Sequence, residues 1–216
     1  MLTLYTYFRS SAAFRMRIAL HIKGLSYDPK FVSLVKAEHH SDEYTKLNPQ
    51  GLVPTLVAGD HVLNQSMAMI EYLDETQAGP KLLPGDALQR WRSRSLAQLV
   101  ACEIHPINNL RVLKYLKSPL NHSQEEIDTW YRHWCIEGLS AYERELSAGP
   151  IASRPGLYSV VDQVSLADVC LVPQIFNAQR FNVDTHAFPN TMAIFDRLMA
   201  LPAFESSQPS KQADAF

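Results

Sequence analysis

The chain has 216 residues, of which 46% are hydrophobic and 19% are charged, and its formal net charge of −2 gives no electrostatic case for binding nucleic acid or an anionic membrane. This length suits one large domain or two small ones. Without a basic leader or a long apolar run, the sequence predicts a cytoplasmic protein. The three cysteines are far apart, so neither a disulfide framework nor a metal site is predicted.

The first part of the chain carries strand and helix signals in close succession. The predicted order is strand (residues 2–5), helix (11–23), strand (27–34), short helix (42–47), strand (54–57), strand (62–63) and helix (67–75). Pro29 makes the second strand an edge strand, because proline cannot donate to a sheet ladder. Ser66 is the predicted cap of the last helix. This order predicts a compact α/β domain over residues 1–80.

The remainder of the chain has a different character. Turn residues within the 77–86 stretch predict a linker, and the strand signals nearly vanish beyond it. Capping patterns that begin at Ser123 and Ser165 predict two helix starts, and the apolar run after Ser165 predicts a buried central helix. Residues 87–216 are therefore predicted to form an all-helical bundle. The polar tail at 206–216 is predicted to be loosely held.

The serine pair after the first strand is the first candidate site. Ser10 and Ser11 stand at the predicted start of a helix, beside unpaired backbone N–H groups and the positive end of the helix dipole. Such a position suits an anion, including a thiolate. A serine that only caps the helix explains the same pattern, so both interpretations stay open.

Longer motifs extend over nearly the whole chain. They are Arg-Ser-Ser at 9–11, Arg-Met-Arg-Ile-Ala-Leu at 15–20, Leu-Asn-Pro-Gln-Gly-Leu-Val-Pro-Thr-Leu at 47–56, Gln-Ser at 65–66, Cys-Glu-Ile-His-Pro at 102–106, Ala-Asp-Val-Cys at 167–170 and Arg-Phe at 180–181. Together they resemble the zeta-class glutathione transferases, the family of maleylacetoacetate isomerases and bacterial maleylpyruvate isomerases. The resemblance implies a thioredoxin-like domain over residues 1–80, an all-α domain over residues 87–216, glutathione as cofactor and a homodimer.

The same resemblance implies a set of glutathione-binding residues. These are Ser10, Ser11, His39, Val53, Gln65, Ser66, His105, Asn109 and Arg111. Val53 precedes a proline that is cis in relatives, so a bound peptide would pair with its backbone. The Gln65–Ser66 pair would hold the γ-glutamyl carboxylate at a helix N-terminus. Simpler interpretations are a trans proline at Val53, a surface histidine at position 39 and a solvated helix start over residues 105–111.

The implied activity is glutathione-dependent cis–trans isomerisation of a maleyl dicarboxylate. We expect maleylacetoacetate, from tyrosine and phenylalanine breakdown, with maleylpyruvate, from gentisate breakdown, as the alternative. Ser10 or Ser11 would stabilise the thiolate. Arg9 and Arg180, from different domains, would bind the two carboxylate ends, since a guanidinium pairs well with a carboxylate. A solvated arginine is the simpler interpretation of each.

One position departs from the family. Many relatives have Ser-Ser-Cys where this chain has Ser10, Ser11 and Ala12, so the residue that can form a mixed disulfide with glutathione is absent. Reductive dehalogenation, which uses that cysteine in relatives, is therefore not expected. A general glutathione transferase and a non-catalytic glutathione-binding protein stay as alternatives, because the fold does not fix the function. Arginines near the thiol argue against an apolar electrophile as substrate.

Overall fold

The chain forms two compact units in a computed structural model that describes residues 1–148 and 157–215. The first unit comprises Met1–Leu82 together with Leu201–Phe216, and the second comprises Leu83–Ala200. The predicted domains, 1–80 and 87–216, place the division in the same linker. They assign the C-terminal segment to the helical domain, whereas the structure places it with the first unit.

A four-stranded mixed sheet is the centre of the first unit. Its strands are β1 (Leu2–Thr6), β2 (Tyr27–Phe31), β3 (Thr55–Ala58) and β4 (His61–Asn64), in the order β2-β1-β3-β4. β1 pairs with β2 in parallel, and both other pairings are antiparallel. Because β2 lies at the edge, Pro29 leaves no ladder donor missing from the middle of the sheet. The thioredoxin-like prediction is confirmed by this arrangement.

Helices α1 (Ser11–Ile22), α2 (Asp42–Leu47) and α3 (Ser66–Thr76) complete the main part of the unit. Every residue of α1 from Ala13 to Leu20 is buried, which explains why its apolar residues are not confined to one stripe. Gly24 follows α1 with φ of +65°, a left-handed conformation that ends many helices. A buried ion pair, with Lys23 Nζ 2.8 Å from Asp74 Oδ1, links the ends of α1 and α3.

The second unit is helical. Its helices are α4 (Ala87–Gln98), α5 (Leu110–Lys117), α6 (Gln124–Ala148), α7 (Leu166–Arg180) and α8 (Pro189–Met199). α7 is the predicted buried central helix: all its residues from Leu166 to Ile175 are buried. Its start is fixed by the Asp168 carboxylate, which accepts hydrogen bonds from the Ser165 N–H (2.8 Å), the Ser165 hydroxyl (2.8 Å) and the Ser159 N–H (3.0 Å).

A π-helical turn, Leu99–Ile104, follows α4 and was not predicted. The last residue of the turn packs closely on α6, since a Cβ atom built on Gly138 would lie 2.2 Å from Cγ1 of Ile104. Such turns often mark functional positions, and this one ends directly before His105. The spacing of apolar residues in the sequence does not reveal a π-helical turn, because the turn shifts the helical pattern by only one position.

The C-terminal segment contains α9 (Pro202–Glu205) and packs closely on the first unit. Ser207 is fully buried, and its hydroxyl lies 2.8 Å from Nδ1 of His21. The prediction of a loose tail was therefore wrong for the described part, up to Ala215; Phe216 lies outside the described residues. The polar side chains that suggested a loose tail form hydrogen bonds within the unit instead. Among the described helices, we find none with the length and apolarity to cross a membrane.

Candidate functional site

The turn between β1 and α1 separates the roles of the two serines. Ser10 is the N-cap of α1, with its hydroxyl accepting a hydrogen bond from the Ala13 N–H at 3.2 Å. The same hydroxyl lies 3.5 Å from the Val53 carbonyl oxygen. Ser11 is the first helical residue and is 6% exposed. Since Ser10 performs the capping, Ser11 is the better candidate to donate to an anion at this helix end.

The loop that carries Val53 is held by side chains that the sequence analysis did not identify. Val53–Pro54 is a cis peptide bond, as the resemblance implied. The Leu52 carbonyl before it accepts hydrogen bonds from the Tyr44 hydroxyl at 2.6 Å and from Asn48 Nδ2 at 2.8 Å. Burial raises the pKa of Tyr44, so its hydroxyl stays a neutral donor. In the sequence, Pro49 and Gly51 predicted a turn next to this loop, but nothing predicted the hydrogen bonds from Tyr44 and Asn48.

Gln65 has an unusual backbone conformation at the start of α3. Its φ of 68° and ψ of 102° place a non-glycine residue outside the common regions. The predicted cap is also corrected: α3 begins at Ser66, and Gln65 is its N-cap residue, without a side-chain capping bond. The Gln65 amide instead donates to Oε1 of Gln50 at 2.8 Å. Such conformations concentrate at ligand sites, where the surroundings hold them in place.

His39 lies in a short 3₁₀ turn, Glu38–His40, and is 6% exposed, so the surface-histidine interpretation does not hold. The turn packs on Gly51, where an added Cβ atom would lie 3.0 Å from Nδ1 of His40 and 3.1 Å from the His39 carbonyl. Gly51 has φ of +59°, which favours glycine for a second reason.

These contacts join four separated segments of the first unit: the serine turn, the His39 turn, the loop over residues 50–53 and the start of α3. Two helix N-termini, each with a buried serine in its first position, therefore belong to one connected region. Helix N-termini bind anionic groups, and Val53, whose carbonyl lies 3.5 Å from the Ser10 hydroxyl, is the candidate for backbone pairing with a bound peptide. These residues fit glutathione, which has a thiol, a peptide backbone and a γ-glutamyl carboxylate.

The second unit places three more predicted residues together. Nδ2 of Asn109 lies 3.5 Å from Nε2 of His105, which directly follows the π-helical turn. Asn109 is also the N-cap of α5, where its Oδ1 accepts from the Arg111 N–H at 3.1 Å. Arg111 is exposed. The arrangement fits a solvated helix start and also fits a group of polar residues available to a ligand.

Arg9 and Arg180 have similar surroundings in their respective units. Both are exposed. The Arg9 guanidinium carbon lies 4.9 Å from the ring centroid of Phe8, and that of Arg180 lies 5.0 Å from the ring of Phe181. Phe181 stacks on Tyr131 with centroids 3.6 Å apart and planes at 9°. Each arginine therefore rests on a neighbouring aromatic ring, a cation–π contact that restricts a long side chain.

Comparison with known proteins supports the same interpretation. Residues 1–75 match the family described as glutathione S-transferase, N-terminal domain. Over 216 residues the chain is 47% identical to a probable maleylacetoacetate isomerase from Vibrio cholerae, which covers 99% of this chain and 98% of that protein.

Two solved structures are similar over the full length. A maleylpyruvate isomerase, described as a bacterial zeta-class glutathione transferase, has a TM-score of 0.95 at 43% identity and covers 99% of this chain and 100% of its own. The maleylacetoacetate isomerase of Anaeromyxobacter dehalogenans, with bound dicarboxyethyl glutathione and citrate in the active site, has a TM-score of 0.86 at 35% identity and covers 100% of this chain and 98% of its own. The sheet order, the serine turn and these full-length matches together show that the chain belongs to the zeta-class glutathione transferases, the family that includes the maleylacetoacetate and maleylpyruvate isomerases.

Proposed function

We propose that this protein is a glutathione-dependent cis–trans isomerase of maleyl dicarboxylates, with maleylacetoacetate as its substrate and maleylpyruvate as the alternative. The observation that carries the proposal is the full-length relationship to isomerases of both kinds. A maleylpyruvate isomerase is nearly as similar as the maleylacetoacetate isomerase, so both substrates belong in the test.

Glutathione would lie along the connected region of the first unit. Gln65 and Ser66, at the N-terminus of α3, would bind the γ-glutamyl carboxylate, and the Val53 backbone would pair with the cysteinyl residue. Ser11 would donate a hydrogen bond to sulfur, and the N-terminus of α1 would lower the pKa of the thiol further. Ser10 would keep the turn in place through its cap and its approach to Val53.

Bound glutathione would supply a thiol that adds reversibly to the maleyl double bond, so that rotation about the resulting single bond and elimination give the trans product. The residues must hold the sulfur as a thiolate and keep a doubly anionic substrate beside it. Arg9 and Arg180 provide the positive charge for the two carboxylates. The relative that holds dicarboxyethyl glutathione binds a glutathione joined to a dicarboxylic group, which is the type of adduct such an addition forms.

Two further parts of the proposal concern the setting of the enzyme. We place it in the cytoplasm, where glutathione is kept reduced, and we expect a homodimer. Light scattering at several protein concentrations would measure the mass in solution. A monomer at all concentrations would contradict the dimer without affecting the proposed chemistry.

A paired assay tests the function. The wild-type protein with glutathione should convert maleylacetoacetate or maleylpyruvate to its trans isomer, with no loss of glutathione over many turnovers. Omission of glutathione should abolish the conversion. If the protein consumes glutathione to form stable conjugates, or converts neither acid, the isomerase proposal is wrong.

Ser11→Ala and Ser10→Ala form a matched pair for the thiolate. Ser11→Ala should raise the pKa of bound glutathione, followed by thiolate absorbance against pH, and lower kcat about 100-fold, as when one donor to a developing anion is lost. Ser10→Ala should mainly lower the free energy of unfolding, by about 1 kcal/mol, because it removes a helix cap. The opposite pattern would show that Ser10, and not Ser11, donates the hydrogen bond to the thiolate.

A further inference from the structure

The turn that precedes the serine pair is held from the far end of the chain. The Phe8 N–H donates to Oδ2 of Asp214 at 2.9 Å, across 206 positions of sequence. The Phe8 carbonyl accepts from Nη2 of Arg17 at 3.1 Å. Both hydrogen-bonding groups of the Phe8 backbone are therefore bound to charged side chains, which form stronger hydrogen bonds than neutral ones.

Arg17 connects the same turn to the C-terminal segment. Its side chain is fully buried. Besides Phe8, Nη1 donates to the Thr6 hydroxyl at 3.1 Å, and Nε donates to the Ser207 carbonyl at 3.0 Å. Burial lowers the pKa of Arg17 to about 10, while the nearby Tyr27 and Asp214 act in the opposite direction, so the guanidinium stays cationic near neutral pH.

Asp214 has little else to bind in the part of the chain that the structure describes. Its Oδ2 is used by Phe8, and its Oδ1 is buried with no hydrogen-bond partner among the described residues. Burying a carboxylate oxygen without a partner is unfavourable. The segment has to be held in place by its other contacts, such as the buried Ser207, for Asp214 to occupy this position.

We propose that Asp214 is a positioning residue for the serine turn: with Arg17 it fixes the Phe8 backbone, and thereby the placement of Arg9, Ser10 and Ser11 for catalysis. This inference rests on the proposed role of the serine turn. The Phe8 carbonyl belongs to the peptide that joins Phe8 to Arg9, and the Ser10 N–H donates to the Tyr7 carbonyl at 3.0 Å. We therefore expect a shift at Phe8 to be passed on to Arg9 and Ser10, directly before α1.

The test compares three variants of the full-length protein. Asp214→Ala removes the acceptor, and Asp214→Asn keeps the volume and a neutral acceptor oxygen. Glu205→Gln is the control, because its carboxylate pairs with Lys211 at 3.0 Å in the same segment, has no contact with the turn among the described contacts, and is half-exposed. Thermal unfolding, glutathione affinity, the titration of the bound thiol and kcat/KM are measured for each.

Asp214→Ala should lower kcat/KM for the maleyl acid about tenfold, because misplacement of reacting groups is costly. The titration of bound glutathione should shift towards that of free glutathione. Asp214→Asn should lie between Asp214→Ala and the wild type, and Glu205→Gln should match the wild type. A purely structural role would lower only the melting temperature and leave the thiol titration unchanged.

Two results would overturn the inference: a wild-type thiol titration and turnover in Asp214→Ala, or an equal loss in Glu205→Gln. The thiol titration needs glutathione alone. It therefore tests the role of Asp214 even if the wild-type protein converts neither maleyl acid, a result that would contradict the proposed function and not this inference.

Discussion

The two units carry their candidate residues in different ways. In the first unit, Ser11, His39, Val53 and Ser66 are between 6% and 8% exposed, while Arg9 and Gln65 are exposed. In the second unit none of the candidate residues is buried: His105 and Asn109 are half-buried, and Arg111 and Arg180 are exposed side chains at the ends of helices.

This difference suggests a division of work. A ligand that is always the same can be bound by backbone groups and buried side chains, whose positions the fold determines and which lose little entropy on binding. A substrate that differs between relatives is better bound by exposed side chains, because these residues can be substituted without disturbing the core. The predictions below test whether glutathione binding depends on the backbone support of the first unit and whether turnover depends on exposed charge.

The largest effect is expected at a scaffold residue of the second unit. Asp168→Ala should lower the free energy of unfolding by about 3 to 5 kcal/mol, because three buried donors on Ser159 and Ser165 lose their acceptor at about 1 to 3 kcal/mol each, not additively. Denaturant unfolding measures it. Asp184→Ala, at an exposed carboxylate, is the control and should cost about 1 kcal/mol or less. Equal losses of free energy of unfolding in the two variants would show that the burial of Asp168 does not increase the cost of removing its carboxylate.

The proposed glutathione site of the first unit should be nearly as sensitive. Gln65→Ala with Ser66→Ala should weaken glutathione binding by about 2 to 4 kcal/mol, since hydrogen bonds to a charged group contribute about 1.5–3 kcal/mol each. Calorimetric titration measures the affinity. Gln77→Ala, at the opposite end of α3, should leave it unchanged. An unaltered affinity in the double variant would remove the proposed γ-glutamyl site.

The exposed arginines should affect turnover without affecting glutathione. Arg9→Met and Arg180→Met keep the aliphatic bulk and should each lower kcat/KM for the maleyl acid about 10- to 1,000-fold, the loss of roughly 1.4–4 kcal/mol of transition-state stabilisation. Glutathione affinity should change little. Arg144→Met, at another exposed arginine, should behave as the wild type. Wild-type turnover in both variants would contradict the dicarboxylate assignment.

The features that were predicted correctly have local causes. Pro29 marks the edge strand, Gly24 ends α1, and the Ser165–Asp168 spacing marks the start of α7. Each depends on residues within a few positions of one another, so a single sequence carries the information. The candidate site residues came mainly from the family motifs, and their chemical roles stay predictions.

The features that were missed depend on contacts between distant parts of the chain. Nothing near Gln65 in the sequence indicates its positive φ, and its side-chain contact with Gln50, 15 positions away, is not evident from the sequence either. The contact between the Ser10 hydroxyl and the Val53 carbonyl could not be predicted, because 43 positions of sequence separate the two residues. The docked tail was missed because its polar residues look solvated until Phe8 and Asp214 are seen to meet.

The smallest effect concerns pH and the docking of the C-terminal segment on α1. Burial lowers the pKa of His21, the Arg17 charge lowers it further, and a hydrogen bond to the Ala203 backbone opposes both. The folded state therefore binds fewer protons than the unfolded state just below the ordinary histidine pKa of about 6.5. Stability from this group is complete above that pH and is lost as the pH falls through the folded-state pKa.

His21→Gln should thus flatten the acid side of the stability curve, measured by denaturant unfolding between about pH 7 and 5. The effect is small because the ring is half-buried and its charge is partly screened. His61→Gln, at an exposed histidine on β4, should keep the wild-type slope, and an equal slope in His21→Gln would show that burial does not hold the His21 ring neutral.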